Sequence, residues 1–242
     1  MTPRYASAGS GTAALVFTHG LASTGDTWSA QVAGLSDRFR CLTWDLRGHG
    51  ASGSPAGPCS IAALAADLLA VLDDAQVERA TVVGHSAGGV IAMRFALDYP
   101  QRTAGLVLVG TASECNDKAA QFYLELARIA QERGMDPVRR RLGLGNQPPV
   151  PVDPATFAQV ATCMAGLREN PLTPEMEKIR CPTLIVVGEK DFLGAGGSVI
   201  LSRRIAGSVL KIVPERGHGI FLEDPAGFNA LLAEFAGGPA AT

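Results

Sequence analysis

The sequence has no excess charge of either sign, with 21 Lys and Arg against 23 Asp and Glu among 242 residues. That balance excludes the basic footprint with which a domain holds a polyanion such as nucleic acid. No run of 18 apolar residues occurs, and the opening "MTPRYASAGSG" lacks a basic stretch followed by an apolar one. Neither membrane span nor secretory leader is expected, which points to a cytoplasmic protein. The five cysteines, at 41, 59, 115, 163 and 181, are odd in number and never spaced C-x-x-C. Such scatter fits neither a disulfide framework nor a zinc site. Only four histidines are present, without paired carboxylate spacing, so no metal site is expected.

What is present is apolar and periodic. With 47% hydrophobic residues the chain can bury one large core. Short apolar runs, "AALVFTH" (13–19), "RCLTWDL" (40–46), "ATVVGH" (80–85), "AGLVLVG" (104–110), "PTLIVVG" (182–188) and "SVLKIV" (208–213), alternate with helix-length amphipathic segments. This is the pattern of a mainly parallel sheet covered on both faces. Ser60 is placed to cap a helix over 61–75, in which Ile61, Leu64, Ala65, Leu68, Val71 and Leu72 recur at spacings of three and four. Between Thr111 and Arg180 no strand-like run appears, only helical material such as "QFYLELARIAQERG" and the Pro-rich "GNQPPVPVDP". About 70 residues exceed what a crossover needs, so 112–180 is expected to be a helical cap inserted into a core of 1–111 and 181–242.

"TVVGHSAGGVIA" (81–92) sets Ser86 between a strand and a helix, with Gly84 and Gly88 two residues to either side. G-x-S-x-G in that setting is a nucleophile elbow, a sharp turn that strains the serine backbone and leaves no room for a Cβ at the flanking positions. A serine needs a base. Of the four histidines, His218 in "PERGHGIFLEDP" lies on a loop past the last strand, flanked by glycines. Asp191, just past the penultimate strand in "LIVVGEKDF", gives the chain order Ser, Asp, His; Glu189, Asp117 and Asp224 are alternative acids.

Taken together, "THGLASTGDTW", "DLRGHGAS", "GHSAGG", "GEKD" and "RGHGIFLEDP" resemble the α/β-hydrolase superfamily in register from 18 to 225. The resemblance is to capped serine hydrolases: carboxylesterases, enol-lactonases and carbon-carbon bond hydrolases. It implies the α/β-hydrolase fold, with a mostly parallel sheet of about seven strands and helices on both faces. Because only "RYASAG" precedes the first long strand, the N-terminal edge should be shortened and the outer strand missing. It also implies an oxyanion hole from the Leu21 and Ala87 N–H groups. Ser at 86 speaks against the epoxide hydrolase and haloalkane dehalogenase branches, whose nucleophile is a carboxylate. The elbow lacks the methionine, and "HGIF" the tryptophan, usual in carbon-carbon hydrolases.

The resulting expectation is a carboxylesterase that hydrolyses small esters or lactones through Ser86, Asp191 and His218, without a cofactor, as a monomer or homodimer. Alternatives are carbon-carbon hydrolysis or enol-lactone opening in aromatic degradation, and a non-catalytic ligand sensor. Gly20, Phe122 and Met164 are candidate substrate contacts, as are Tyr123, Leu126 and Met135, although cap residues of this kind serve a core equally well. The arginines of "VRRRL" (138–142) are a solvated face or an anion clamp, and Arg168 poses the same choice. His49 and Trp28 are expected to be structural, and "FLGAGGS" (192–198) a turn without the Walker lysine.

Overall fold

The computed structural model describes residues 2–55, 57–145 and 148–238. In chain order its elements are β1 (Tyr5–Ala8), β2 (Ala14–Thr18), α1 (Ser29–Leu35), β3 (Arg40–Trp44), α2 (Ile61–Asp74), β4 (Ala80–His85), α3 (Ala87–Asp98), β5 (Thr103–Val109), α4 (Asp117–Arg133), α5 (Met135–Arg141), α6 (Pro154–Ala165), β6 (Thr183–Gly188), α7 (Ala195–Arg204), β7 (Val209–Val213), α8 (Ile220–Glu223) and α9 (Pro225–Ala236). The seven strands form one sheet in the order β1-β3-β2-β4-β5-β6-β7. Every pairing is parallel except that of β1 with β3.

The apolar runs become strands because both sheet faces are covered. All residues of β2, β5 and β6 are buried. Side chains alternate across the sheet. Val16, Leu42, Val82, Leu106 and Ile185 pack with α2, α3 and Leu201 of α7, while Phe17, Val83, Val107 and Val186 face α1, α8 and α9 through Trp28, Leu35, Phe221 and Phe228. The edge strands β1 and β7 are largely exposed. The N-terminal edge thus consists of one short strand. Its sequence, YASA, has no apolar run to announce it. The helix anticipated over 61–75 spans Ile61–Asp74, and the Ser60 hydroxyl accepts a hydrogen bond from the Ala63 N–H at 3.0 Å.

Between β5 and β6 the described residues carry helices and no strand. Helices α4 and α6 pack together around their own apolar cluster of Leu126, Ile129, Val138, Phe157 and Ala161. This segment is stapled to the loop after β3: the Gly50 N–H donates to the Pro151 carbonyl at 2.8 Å, and the Asp153 N–H to the Gly48 carbonyl at 2.7 Å. Asn146 and Gln147 of the Pro-rich stretch lie outside the described residues.

Backbone packs on backbone behind the turn from β4 to α3. A Cβ on Gly88 would stand 2.3 Å from the Thr18 carbonyl oxygen and 2.6 Å from that of His19, whereas a Cβ on Gly166 would meet nothing within 4 Å. Gly88→Ala should therefore destabilise the protein by about 3 kcal/mol, seen as a fall in Tm of roughly 6–12 °C. Gly166→Ala, at a helical φ of −61°, should be neutral or stabilising by about 0.5 kcal/mol. Equal melting temperatures for the two variants would refute this packing.

Candidate functional site

The ends of β2, β4, β5, β6 and β7 converge on the site. Ser86 follows β4 with φ 54° and ψ −120°, a left-handed backbone on a non-glycine residue. Such strain persists only where surrounding bonds over-determine it. Here the Ser86 N–H donates to the Val109 carbonyl at 2.9 Å and the Thr111 hydroxyl donates to the Ser86 carbonyl at 2.7 Å. Ser86 sits at the start of α3, so the helix dipole and the unpaired N–H of Ala87 lie directly behind it.

Asp191, past β6, is 2% exposed. Its carboxylate accepts hydrogen bonds from the Leu193 and Gly194 N–H groups, each at 2.9 Å, and faces His218 Nδ1 at 3.0 Å from both oxygens. Burial alone would raise its pKa. The hydrogen bond and charge of His218, with the two backbone donors, outweigh burial and hold the carboxyl below the usual carboxylate range. A carboxylate only accepts, so His218 Nδ1 carries a proton and Nε2 is the ring atom left for proton transfer.

Gly110 joins the two halves. It lies between Val109 and Thr111, which fix Ser86, and a side chain on it would come within 2.8 Å of Asp191 Oδ2 and 3.1 Å of His218 Nδ1. Its φ of +53° and this close approach both require glycine. Ser86, Asp191 and His218 thus meet around residues 109–111. Of the alternative acids, Asp117 pairs with Arg168, Glu189 accepts from the Glu215 N–H at 3.0 Å, and Asp224 caps α9.

The loop after β2 closes the site on the other side. A side chain on Gly20 would lie 3.2 Å from Ser86 Cβ. Its carbonyl is held by His19, whose Nδ1 donates at 2.7 Å while Nε2 accepts from the Leu46 N–H at 3.0 Å. These partners require a neutral imidazole. Burial, reinforced by nearby His49, pushes His19 down to about 3. Leu21 packs half-buried between the main core and the α4–α6 cluster, and Ala22 has φ 55°.

The other candidates fall as follows. His49 is fully buried, with Nδ1 3.0 Å from the Arg47 carbonyl, and Trp28 is fully buried, stacked on Phe221 at 4.1 Å. Met164 is 1% exposed within the main core, where it packs. Phe122 is half-buried, with the Arg141 guanidinium 4.8 Å above its ring. The arginine run does not behave as a unit. Arg139 is buried and donates to the carbonyls of Leu144 and Pro148 at 3.0 and 2.9 Å, whereas Arg140 and Arg141 are exposed. The expected solvated face is corrected at Arg139, whose guanidinium is needed to close the turn after α5. Arg168 pairs with Asp117 and Glu169 on the surface.

Three structural contributors are not legible as such in the sequence: Thr111 and Gly110, which carry no signal, and His85, which stands inside the elbow motif but is not the expected base. Their roles arise only from strand ends brought side by side. Among the described residues no cluster of His, Cys, Asp and Glu is arranged to hold a metal, and no helix is long and apolar enough to cross a membrane.

Comparison with known proteins gives the family to which this architecture belongs. Residues 15–231 match the model of the alpha/beta hydrolase family. The 3-oxoadipate enol-lactonase 2 of Acinetobacter baylyi is 29% identical over 231 residues, covering 89% of this chain and 85% of that protein. A thermophilic esterase from Thermogutta terrifontis superposes with a TM-score of 0.86 at 25% identity, over 99% of this chain and 94% of the other. A solved N-acyl homoserine lactone degrading enzyme is 30% identical with a TM-score of 0.79, over 96% of each chain.

Neutral His19 links site geometry to stability. Its pKa is about 3 when folded and about 6.5 when unfolded. The unfolded chain therefore binds the extra proton first as pH falls. This contribution is complete above pH 6.5 and is lost progressively towards pH 3. Between pH 6.5 and 5 the unfolding free energy in urea should drop by at least about 1.5 kcal/mol. A flat profile over that interval would contradict the neutral, doubly bonded His19.

Proposed function

The chain belongs to the alpha/beta hydrolase family, and from that premise we propose that it is a serine hydrolase cleaving small carboxylic esters or lactones through an acyl-enzyme on Ser86. The observation that carries the reading is the buried Asp191 carboxylate on His218 Nδ1 at 3.0 Å, tied through residues 109–111 to the strained Ser86.

His218 takes the Ser86 proton on Nε2 as the hydroxyl attacks the carbonyl carbon. The N–H groups of Leu21 and Ala87 hold the resulting oxyanion, charge that exists only after attack and so lowers the barrier rather than the substrate's energy. His218 then protonates the leaving oxygen. A water, deprotonated by the same imidazole, releases the acid from Ser86. Asp191 keeps the ring in the Nδ1–H tautomer and stabilises its cation at each step. None of these steps calls for a cofactor. Residues 112–180 act as the cap over the acyl side, with Phe122 at its lining.

Small neutral substrates fit the chemistry best. The activities of the relatives, an esterase and two enzymes of lactones, support the ester and lactone class. Carbon-carbon cleavage of an anionic substrate would want a cap arginine free to pair with a carboxylate. Arg139 instead closes a turn, and Arg141 stacks on Phe122 beside Glu125. Intact Ser86, Asp191 and His218 count against a ligand sensor.

The test is turnover on p-nitrophenyl esters of increasing acyl length beside a simple lactone, with Asp191→Asn as the diagnostic variant. Short acyl chains should be preferred, and folded D191N should lower kcat about 10⁴-fold through the wrong tautomer. D191N activity near wild type would move the orienting role elsewhere.

A further inference from the structure

His85 precedes the serine of the elbow and appears in no step above, yet its side chain is half-buried among the parts of the site. Its Nε2 lies 3.1 Å from the main-chain carbonyl oxygen of His218. A carbonyl only accepts, so Nε2 carries the proton and the ring is the neutral Nε2–H tautomer. The two imidazoles sit 4.6 Å apart, and the edge of His85 meets Phe221 at 4.9 Å. Phe221 in turn stacks on buried Trp28. On its other side, His85 Nδ1 would be 3.2 Å from a side chain on Gly20. One ring therefore spans the space between the loop after β2 and the loop bearing His218, braced by the core.

That second loop needs bracing. It leaves β7, an edge strand with most residues exposed. Ahead of His218 it is held by the Lys190 N–H on the Arg216 carbonyl at 2.8 Å and by the Gly217 N–H on the Glu223 carboxylate at 2.8 Å. At His218 itself, Asp191 holds the ring only through Nδ1. A ring fixed at Nδ1 alone can swing Nε2 by rotating about that bond as its main chain shifts. A second anchor at the main chain removes this freedom.

We propose that His85 is a positioning residue, whose Nε2–H holds the main chain of His218 so that Asp191 and His85 together fix where Nε2 of His218 points. The proposal rests on the Ser86–His218–Asp191 reading above. It also joins nucleophile and base mechanically: His85 shares its backbone with Ser86 and its ring with the loop of His218, so the two keep their spacing when either loop moves. Burial, with the neighbouring His218 next in effect, pushes His85 down to about 3, so it is a neutral donor at neutral pH.

Three variants, H85L, H85Q and S86A, test it against wild type. Leucine removes the donor at similar bulk, whereas the glutamine amide can again donate near the old Nε2 position. The readouts are kcat and KM on a short p-nitrophenyl ester, the rate of fluorophosphonate labelling, melting temperature, and the low-field proton NMR signal of His218 Nδ1–H. H85L should lose about 10²-fold in kcat and a similar factor in labelling rate with little change in KM, and its low-field signal should broaden. H85Q should recover most of the rate and sharpen the signal. The proposal is overturned if folded H85L keeps wild-type kcat and a sharp signal, or if H85Q loses as much as H85L. Should H85L fail to fold, H85Q decides: recovery supports the donor and a loss of about 10²-fold overturns it. S86A separates the two readings. If it abolishes labelling while H85L labels at the normal rate, only the His85 role fails; if S86A still labels and turns over, the triad reading fails and takes the His85 role with it.

Discussion

Backbone packed directly on backbone behind Ser86 is the constraint on which the site depends. Gly84 lies against the main chain of Gly88 and Gly89, and Gly88 against the carbonyls of residues 18 and 19, at separations no Cβ tolerates. That contact lets a helix start immediately at the end of β4 and forces the residue between them into φ 54°. The cost of such a conformation, about 1–3 kcal/mol, is offset by the bonds from residues 109 and 111. The same two residues flank Gly110, against which Asp191 and His218 rest. Strain at the serine and placement of the base thus have a common origin in the parallel register of β4 with β5 and of β5 with β6.

The remainder of the architecture serves to hold these strand ends still. Full burial of β2, β5 and β6 packs the middle of the sheet on both faces, while the edge strands β1 and β7 bury less. Placing the imidazole on the loop after edge strand β7 leaves it partly solvated at 29% side-chain exposure, against 1% for Asp191. The proposed base, which must exchange protons with water, benefits from that asymmetry. Its carboxylate partner, shielded and doubly bonded to backbone, stays ionised.

Much of this was legible in the sequence. The apolar runs of β2 to β7 are continuous because both faces are buried, and G-x-S-x-G between a β-branched run and a small-residue helix admits few conformations. Ser60 marked its helix because an N-cap is a local, side-chain-to-backbone matter. The chain order of Ser86, Asp191 and His218 followed from where each stands relative to a strand end. What escaped was non-local or unpatterned. The shortened N-terminal edge is expected from the sequence, but the bounds of the strand Tyr5–Ala8 are not, because it has no apolar run and is fixed only by pairing with β3. The burial of Arg139 depends on carbonyls contributed by a turn several residues on. The contact of His85 with a carbonyl 133 residues away is visible only once the sheet has folded.

Acyl transfer through Ser86 requires a covalent bond to one oxygen. Rapid quenching of the enzyme with a short p-nitrophenyl ester, followed by mass spectrometry of the digested chain, reads that bond directly. The peptide containing Ser86 should carry the mass of the acyl group at early times and lose it as substrate is exhausted. Turnover with no acyl adduct on Ser86, or with the adduct on another residue, would contradict it.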